Sequence, residues 1–360
     1  MSRFIISGGG TGGHIFPAIS IANALKRLLP EADILFVGAT GRMEMERVPA
    51  AGYSIEGLPI SGLDRKNLFK NIKVLVNLFR SFIMARRIIH QFKPDVVVGV
   101  GGYASAPTLL AANILGIPTV IQEQNSYAGV TNKFLAKKAS CICVAYEGME
   151  RFFPKDKIVL TGNPVRQELL FIEPKKKEAY EFFGFQPNKK TLLILGGSLG
   201  ARTINESVIS HLEELAQSDI QIIWQTGKYY LNEALKIAEK FLSPTFMITD
   251  FISRMDFAYA IADLVVSRAG ASSISELSLL SKAAILVPSP NVAEDHQTKN
   301  ALALVKKEAA IMIKDAEAKN TLIPRALEII NDENQLKKLS QNIKQFAHKD
   351  ADELIAKEII

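Results

Sequence analysis

Short apolar runs recur along the whole chain, at 33–37, 95–100, 118–122 and 141–145, then at 191–195, 220–225, 245–251, 264–267, 283–287 and 310–313, with helical patterns between them. Strands that alternate with helices at this spacing pair in parallel through right-handed crossovers, so the pattern predicts an α/β fold with doubly wound sheets. Two starts look alike: FIISGG at 4–9 and LLILGG at 192–197 each drive an apolar strand into paired glycines. This echo predicts two Rossmann-like domains instead of one large sheet, and 360 residues with 48% hydrophobic content are enough for two cores. The turn-forming Gly162-Asn163-Pro164 marks the link. It gives a first domain over 1–163 and a second over 164–341, with a terminal helix at about 342–360 packing back on the first. The cleft between two such domains, faced by the strand C-termini of both sheets, is the expected site.

The first glycine turn, GGGTGGH at 8–14, presents bare backbone N–H groups where a helix opens. Such a turn favours phosphate or another polar oxygen. Gly8-x-Gly10-x-x-Gly13 also fits the dinucleotide fingerprint. The second strand, however, runs into Gly38-Ala39-Thr40 without the acid that would hold a ribose, which argues against a nicotinamide dinucleotide.

Cys141 and Cys143 stand two apart in an apolar run, so a strand would point both to one face as reduced core thiols, and a cytoplasmic setting is expected. Residues 96–122 carry no charge over 27 positions, but glycines and prolines cut them into strand, loop, helix and strand, against a membrane span. The net charge of +6 is uneven: residues 1–163 hold 19 Lys and Arg against 11 Asp and Glu. Residues 65–93 alone hold Arg65, Lys66, Lys70, Lys73, Arg80, Arg86, Arg87 and Lys93 with no acid. Leu68, Ile72, Leu75, Phe79, Phe82 and Ile83 fall at helical spacings among them, part of them core and part an apolar patch ringed with cations.

In the second half, LGGSLGAR at 195–202 is another strand-to-glycine turn, with Ser198 placed to reach a ligand or to cap the turn. SRAGASSISE at 267–276 puts Ser272 and Ser273 at a helix start. Ser273-x-x-Glu276 has the form of a capping box, and the same geometry offers helix N–H groups to a diphosphate and Glu276 to two ribose hydroxyls. Gln297 and Asn300, at i and i+3 in EDHQTKNA, share a helix face suited to sugar hydroxyls. Gly101-Gly102-Tyr103 and QEQN at 122–125 sit at strand ends, where polar side chains line clefts.

GGGTGGH, GGYAS, QEQN, TGNPVR, GGSLGAR, DFISRM, SRAGASSISE and DHQTKNA occur in order from residue 8 to residue 301. Together they resemble the MurG family, the UDP-N-acetylglucosamine transferases of peptidoglycan synthesis in glycosyltransferase family 28. One departure is His296 beside Gln297, where many relatives carry a glutamine pair. The resemblance implies a GT-B fold and an inverting, β-1,4-forming transfer from UDP-N-acetylglucosamine to the 4-hydroxyl of the lipid I acceptor. It implies that the backbone of Ile252 meets the uracil, Glu276 the ribose and Ser198 the nucleotide. Arg166 and the helix start at Ala271, Ser272 and Ser273 would face the phosphates, Gln297 would bind the N-acetylglucosamine, and Ile274, Ser275 and Asn300 are counted with the donor-binding residues. Thr11, Gly12, Gly13 and Asn125 would approach the donor from the first domain. His14 is the candidate general base, since a helix N-terminus disfavours imidazolium; its bland alternative is helix capping.

No cofactor or metal is expected: the Asp-x-Asp at Asp350-Ala351-Asp352 lies in a charged tail helix as solvated surface, while helix N-termini and Arg166 can offset the leaving-group charge. Partners on this basis are the donor, lipid I, an anionic membrane surface met by residues 65–93 at the cytoplasmic face, and proteins of cell-wall synthesis, with no nucleic acid. A UDP-sugar epimerase would need carboxylates near the sugar, for which Glu123 and Glu294 are the candidates. A diacylglycerol acceptor would keep the donor chemistry, and a binding-only nucleotide-sugar sensor would show no turnover.

Overall fold

The computed structural model of the protein describes every residue except Thr11, 61–69, 167, 168, 170, 171 and 198. Two compact units emerge, one formed by Met1–Val165 with His348–Ile360 and the other by Arg166–Ala347.

In the first unit the strands are β1 (Arg3–Ser7), β2 (Asp33–Ala39), β3 (Ser54–Leu58), β4 (Val96–Gly99), β5 (Thr119–Glu123), β6 (Cys141–Val144) and β7 (Ile158–Leu160). Its helices are α1 (Gly12–Leu28), α2 (Glu44–Ala50), α3 (Lys70–Phe92), α4 (Ser105–Ile114) and α5 (Val130–Leu135). The second unit has β8 (Thr191–Leu195), β9 (Gln221–Gln225), β10 (Phe246–Thr249), β11 (Leu264–Ser267), β12 (Ala283–Leu286) and β13 (Ile311–Met312). Its helices are α6 (Lys176–Phe183), α7 (Arg202–Ser210), α8 (Leu212–Gln217), α9 (Leu231–Ala238), α10 (Met255–Ile261), α11 (Ala271–Leu279), α12 (His296–Val305), α13 (Asp315–Asn331) and α14 (Glu333–Ile343). The chain closes on α15 (Ala351–Ile359).

The sheets run β3-β2-β1-β4-β5-β6-β7 and β10-β9-β8-β11-β12-β13, the doubly wound order twice over. Each central strand starts its unit and pairs in parallel on both sides, β1 with β2 and β4, β8 with β9 and β11. A wholly parallel sheet must be covered on both faces. Along β1, accordingly, Ile5 joins the apolar cluster on one face while Phe4 and Ile6 join that on the other. The sequence pattern misses β3 and β7. β3 is an edge strand with alternating exposure and β7 has three residues, so neither carries a continuous apolar run.

The uncharged segment 96–122 becomes β4, α4 and β5, and among the described residues no helix is long and apolar enough to cross a membrane. Cys141 and Cys143 are free thiols 4.0 Å apart on one face of β6.

α15 belongs to the first unit, where Ile355, Ala356 and Ile359 complete the cluster around α1. Asp352 corrects the expectation of a solvated tail: its side chain is only 4% exposed and lies 2.7 Å from the Arg27 guanidinium of α1. Ile355 is fully buried, so Ile355→Ala is expected to destabilise the first unit by about 2–5 kcal/mol, read by urea unfolding. Leu354→Ala on the same helix, at a 42% exposed position, should leave stability nearly unchanged.

Candidate functional site

In the first unit the turns after β1 and β4 press against each other. A Cβ on Gly102, whose φ is +87°, would sit 2.3 Å from the Gly9 carbonyl oxygen, so a side chain there would push the two turns apart. Ser105, at the start of α4, pins the same junction by donating to the carbonyls of Ser7 and Gly101 at 2.7 and 3.0 Å. His14 stands in the first turn of α1, half-buried, with Nδ1 3.2 Å from the Gly9 carbonyl oxygen. Gly12 and Gly13 open the same helix; Thr11 lies outside the described residues.

One N–H of the glycine turn is already taken by the chain itself. The Gly10 N–H donates to the Glu44 carboxylate at 2.8 Å, and the other oxygen of that carboxylate accepts the Ala39 N–H at 2.9 Å. A polar oxygen does dock here, and the chain itself supplies it.

QEQN is structural as well. Gln122, Glu123 and Gln124 are buried: Gln122 donates to Asn163 of the link, and Gln124 donates to the Val100 carbonyl. Glu123 accepts from Asn125 N, Asn125 Nδ2, Gly129 N and Asn132 Nδ2, at 2.8–3.2 Å. A carboxylate so engaged organises the loop after β5, which removes Glu123 as a proton-moving group for an epimerase. It also fixes Asn125 at the strand end.

In the second unit, Ile252 follows the C-terminal end of β10, Ala271 to Glu276 follow that of β11 and Gln297 that of β12. α11 starts at Ala271 with Gly270 in the capping position, and no side chain caps it. The capping box is therefore corrected: Ser273 lies inside the helix, and Glu276 turns to tertiary partners. Glu276 Oε1 accepts from Arg166 Nε at 2.9 Å and Oε2 from the Tyr259 hydroxyl at 3.1 Å, with the glutamate side chain 13% exposed. Ser272 Oγ, in the first turn, has no hydrogen-bond partner among the described residues. Ile274 packs into the core, and the Ser275 hydroxyl donates back to the Ala271 carbonyl, so both serve the helix itself. Gln297 Oε1 accepts the Ser289 N–H at 2.8 Å, which ties the start of α12 to the loop after β12. Asn300 is fully buried and donates to the Ala269 carbonyl, so it braces the turn before α11 and does not face sugar hydroxyls in this structure. Ile252 is buried and its N–H donates to Gln225 Oε1 at 3.1 Å. Ser198 lies outside the described residues.

Four residues escape the sequence pattern. Glu44 and Tyr259 are two; Gln225, at the end of β9, is a third; Arg268, the fourth, donates to the Val287 and Pro288 carbonyls and pairs with Asp315, fixing the loop that holds Gln297. Tyr259 sits in the apolar stretch FAYAIA, which reads as core, and the acid at Glu44 stands five residues beyond the strand end where a ribose ligand is sought. α10, which carries Tyr259, is itself braced at its first turn: Arg254 beside Asp256, with Lys175 adding a second cation, holds that carboxyl well below the usual range.

The residue-level comparisons agree with this architecture. The N-terminal domain model of glycosyltransferase family 28 matches residues 4–144 and its C-terminal domain model matches residues 191–355. The chain belongs to glycosyltransferase family 28. A relative from Parabacteroides distasonis, named UDP-N-acetylglucosamine--N-acetylmuramyl-(pentapeptide) pyrophosphoryl-undecaprenol N-acetylglucosamine transferase, is 62% identical over 358 residues, 99% of this chain and 97% of the relative. One of the same name from Bacteroides fragilis is 63% identical over 362 residues, 99% of this chain and 95% of the relative. Among solved structures, MurG of Acinetobacter baumannii has a TM-score of 0.78 at 28% identity, covering 100% of this chain and 99% of that one. A UDP-GlcNAc 2-epimerase from Neisseria meningitidis, at 15% identity and a TM-score of 0.70 over 99% of both chains, shares the fold alone. Within family 28 terms, the fold is GT-B.

Burial, with the negative charge of Glu276 adding to it, holds the Tyr259 phenol well above its usual value. Tyr259→Phe keeps the ring and removes the donor to a carboxylate, so it is expected to cost about 1.5–3 kcal/mol of stability at neutral pH. The raised phenol makes that contribution complete below about pH 10, where the unfolded tyrosine titrates, and lost as pH rises beyond it. Urea unfolding followed across about pH 9–11 should therefore show a smaller decline in Tyr259→Phe than in the wild type.

Proposed function

We propose that this protein moves N-acetylglucosamine from UDP-N-acetylglucosamine to the 4-hydroxyl of the N-acetylmuramyl residue of lipid I, giving lipid II and UDP. The observation that carries the proposal is that full-length relatives at 62 and 63% identity bear the name of that activity. The second unit is assigned the donor. The α11 N-terminus and Arg166 take the diphosphate, Glu276 the ribose hydroxyls, the turn at Ile252 the base and Gln297 the sugar. A metal has no assigned place, because helix N–H groups and a guanidinium meet the leaving-group charge.

The first unit is assigned the acceptor and the base. The acceptor hydroxyl oxygen bonds to the anomeric carbon as the bond from that carbon to the phosphate oxygen breaks; UDP leaves with the electron pair, and the hydroxyl proton passes to His14. A single displacement of this kind inverts the anomeric centre.

The protein is further proposed to bind the cytoplasmic face of the membrane reversibly through α3. Leu75, Phe79 and Ile83 of that helix are 60, 65 and 52% exposed, beside exposed Arg80, Arg86 and Arg87. Phe82, Ala85 and Ile89 pack inward. Arg65, Lys66 and Leu68 lie outside the described residues. Each cation near an anionic bilayer adds about 1 kcal/mol, screened by salt.

Radiolabelled UDP-N-acetylglucosamine with a lipid I analogue, against diacylglycerol and no acceptor, tests the activity. In that assay His14→Ala should lower kcat by about 10²–10⁴-fold with UDP binding intact, and Glu276→Ala should weaken donor binding by about ten- to a hundredfold. Transfer to diacylglycerol alone would sink the assigned acceptor. Co-sedimentation should show salt-sensitive binding to anionic vesicles that falls when Arg80, Arg86 and Arg87 become glutamine. Equal, salt-insensitive binding to neutral vesicles would refute the electrostatic dock.

A further inference from the structure

His14 is joined to a buried carboxylate through a single peptide group. Its Nδ1 faces the Gly9 carbonyl oxygen at 3.2 Å, and the N–H of that same peptide, carried by Gly10, donates to Glu44 Oε2 at 2.8 Å. Glu44 is 1% exposed and is held from the other side by the Ala39 N–H on Oε1. The backbone is shaped for this contact: Gly9 has a φ of +145°, and a Cβ there would lie 2.2 Å from Glu44 Oε1. Glu44 reaches the turn because α2 begins with it, shortly after β2 ends beside β1.

We infer that Glu44 is a positioning residue for the transfer reaction, acting on His14 through the Gly9–Gly10 peptide. A carboxylate that accepts the peptide N–H polarises the whole amide and makes its carbonyl a stronger acceptor, as in other hydrogen-bonded chains. That carbonyl can only accept, so it fixes the proton of the neutral imidazole on Nδ1 and leaves Nε2 as the basic nitrogen. When Nε2 takes the acceptor proton, the charge that develops on the ring faces a carbonyl already drawn negative by Glu44. The base is thus oriented by a third group, with one peptide unit between them where a direct contact is the commoner arrangement. The inference rests on His14 being the base.

Histidine-selective ¹⁵N labelling of the whole protein tests it first, with the His14 resonances assigned by their loss in His14→Ala. The expected result is an Nδ1–H tautomer for the neutral ring in the wild type; an Nε2–H tautomer would overturn the inference whatever the variants do. Kinetics then separate orientation from mere loop support. Glu44→Gln should lower kcat by about ten- to a hundredfold, the range typical of lost orienting partners, with the donor KM within about twofold. In a His14→Ala background the same change should cost nothing further. Equal losses in both backgrounds, or an unchanged kcat in Glu44→Gln while His14→Ala is impaired, would overturn the role of Glu44. An unimpaired His14→Ala would instead remove His14 as the base, and the inference with it. Should Glu44→Gln fail to fold, the tautomer of the wild-type ring decides.

Discussion

Parallel pairing of the strands in both sheets is the constraint on which the chemistry of this protein depends. Every strand then ends at the same edge, and every following helix begins there, so turns that are distant in sequence are forced into contact. The turns after β1 and β4 meet at Gly9 and Gly102 for this reason, and the turns after β11 and β12 are linked by Arg268. Peptide N–H groups at such an edge are unpaired by the sheet and must be satisfied by something.

The two units answer that demand differently. In the first, a carboxylate of the chain, Glu44, takes the Gly10 N–H and closes the turn. In the second, α11 begins without any acid in its first turn, and the carboxylate of Glu276 further along the helix is paired with Arg166 and Tyr259. A negatively charged ligand is therefore repelled from the turn after β1 and tolerated at the start of α11. This asymmetry is the physical ground for giving the nucleotide to the second unit.

What the sequence makes legible is whatever depends on a repeating pattern. The central strands are continuous apolar runs and are found; β3 alternates and β7 is short, and both are missed. Among the candidate residues, His14 and Gln297 stand in the first turns of α1 and α12, Glu276 lies in the helix that follows β11, and Arg166 follows the turn-forming link, positions that the pattern locates. It does not locate their partners. Glu44 and Tyr259 act across 34 and 17 residues of chain, and nothing local distinguishes an acid that turns inward, or a tyrosine whose hydroxyl finds a carboxylate, from ordinary surface and core. The same limit explains QEQN: polarity at a strand end suggested a lined cleft, whereas three of its side chains are buried and satisfied by Val100, Asn163 and their own loop.

The return of residues 348–360 to the first unit makes its completion a matter of timing. Ribosomal synthesis delivers β1 through β7 long before Ile355, Ala356 and Ile359 exist, so the apolar face of α1 that they cover must wait while the entire second unit is made. The second unit is continuous in the chain and has no such delay. A nascent chain stalled or clipped just before α15 would carry a finished second unit and an open apolar seam on the first, which is the surface that chaperones and proteases recognise.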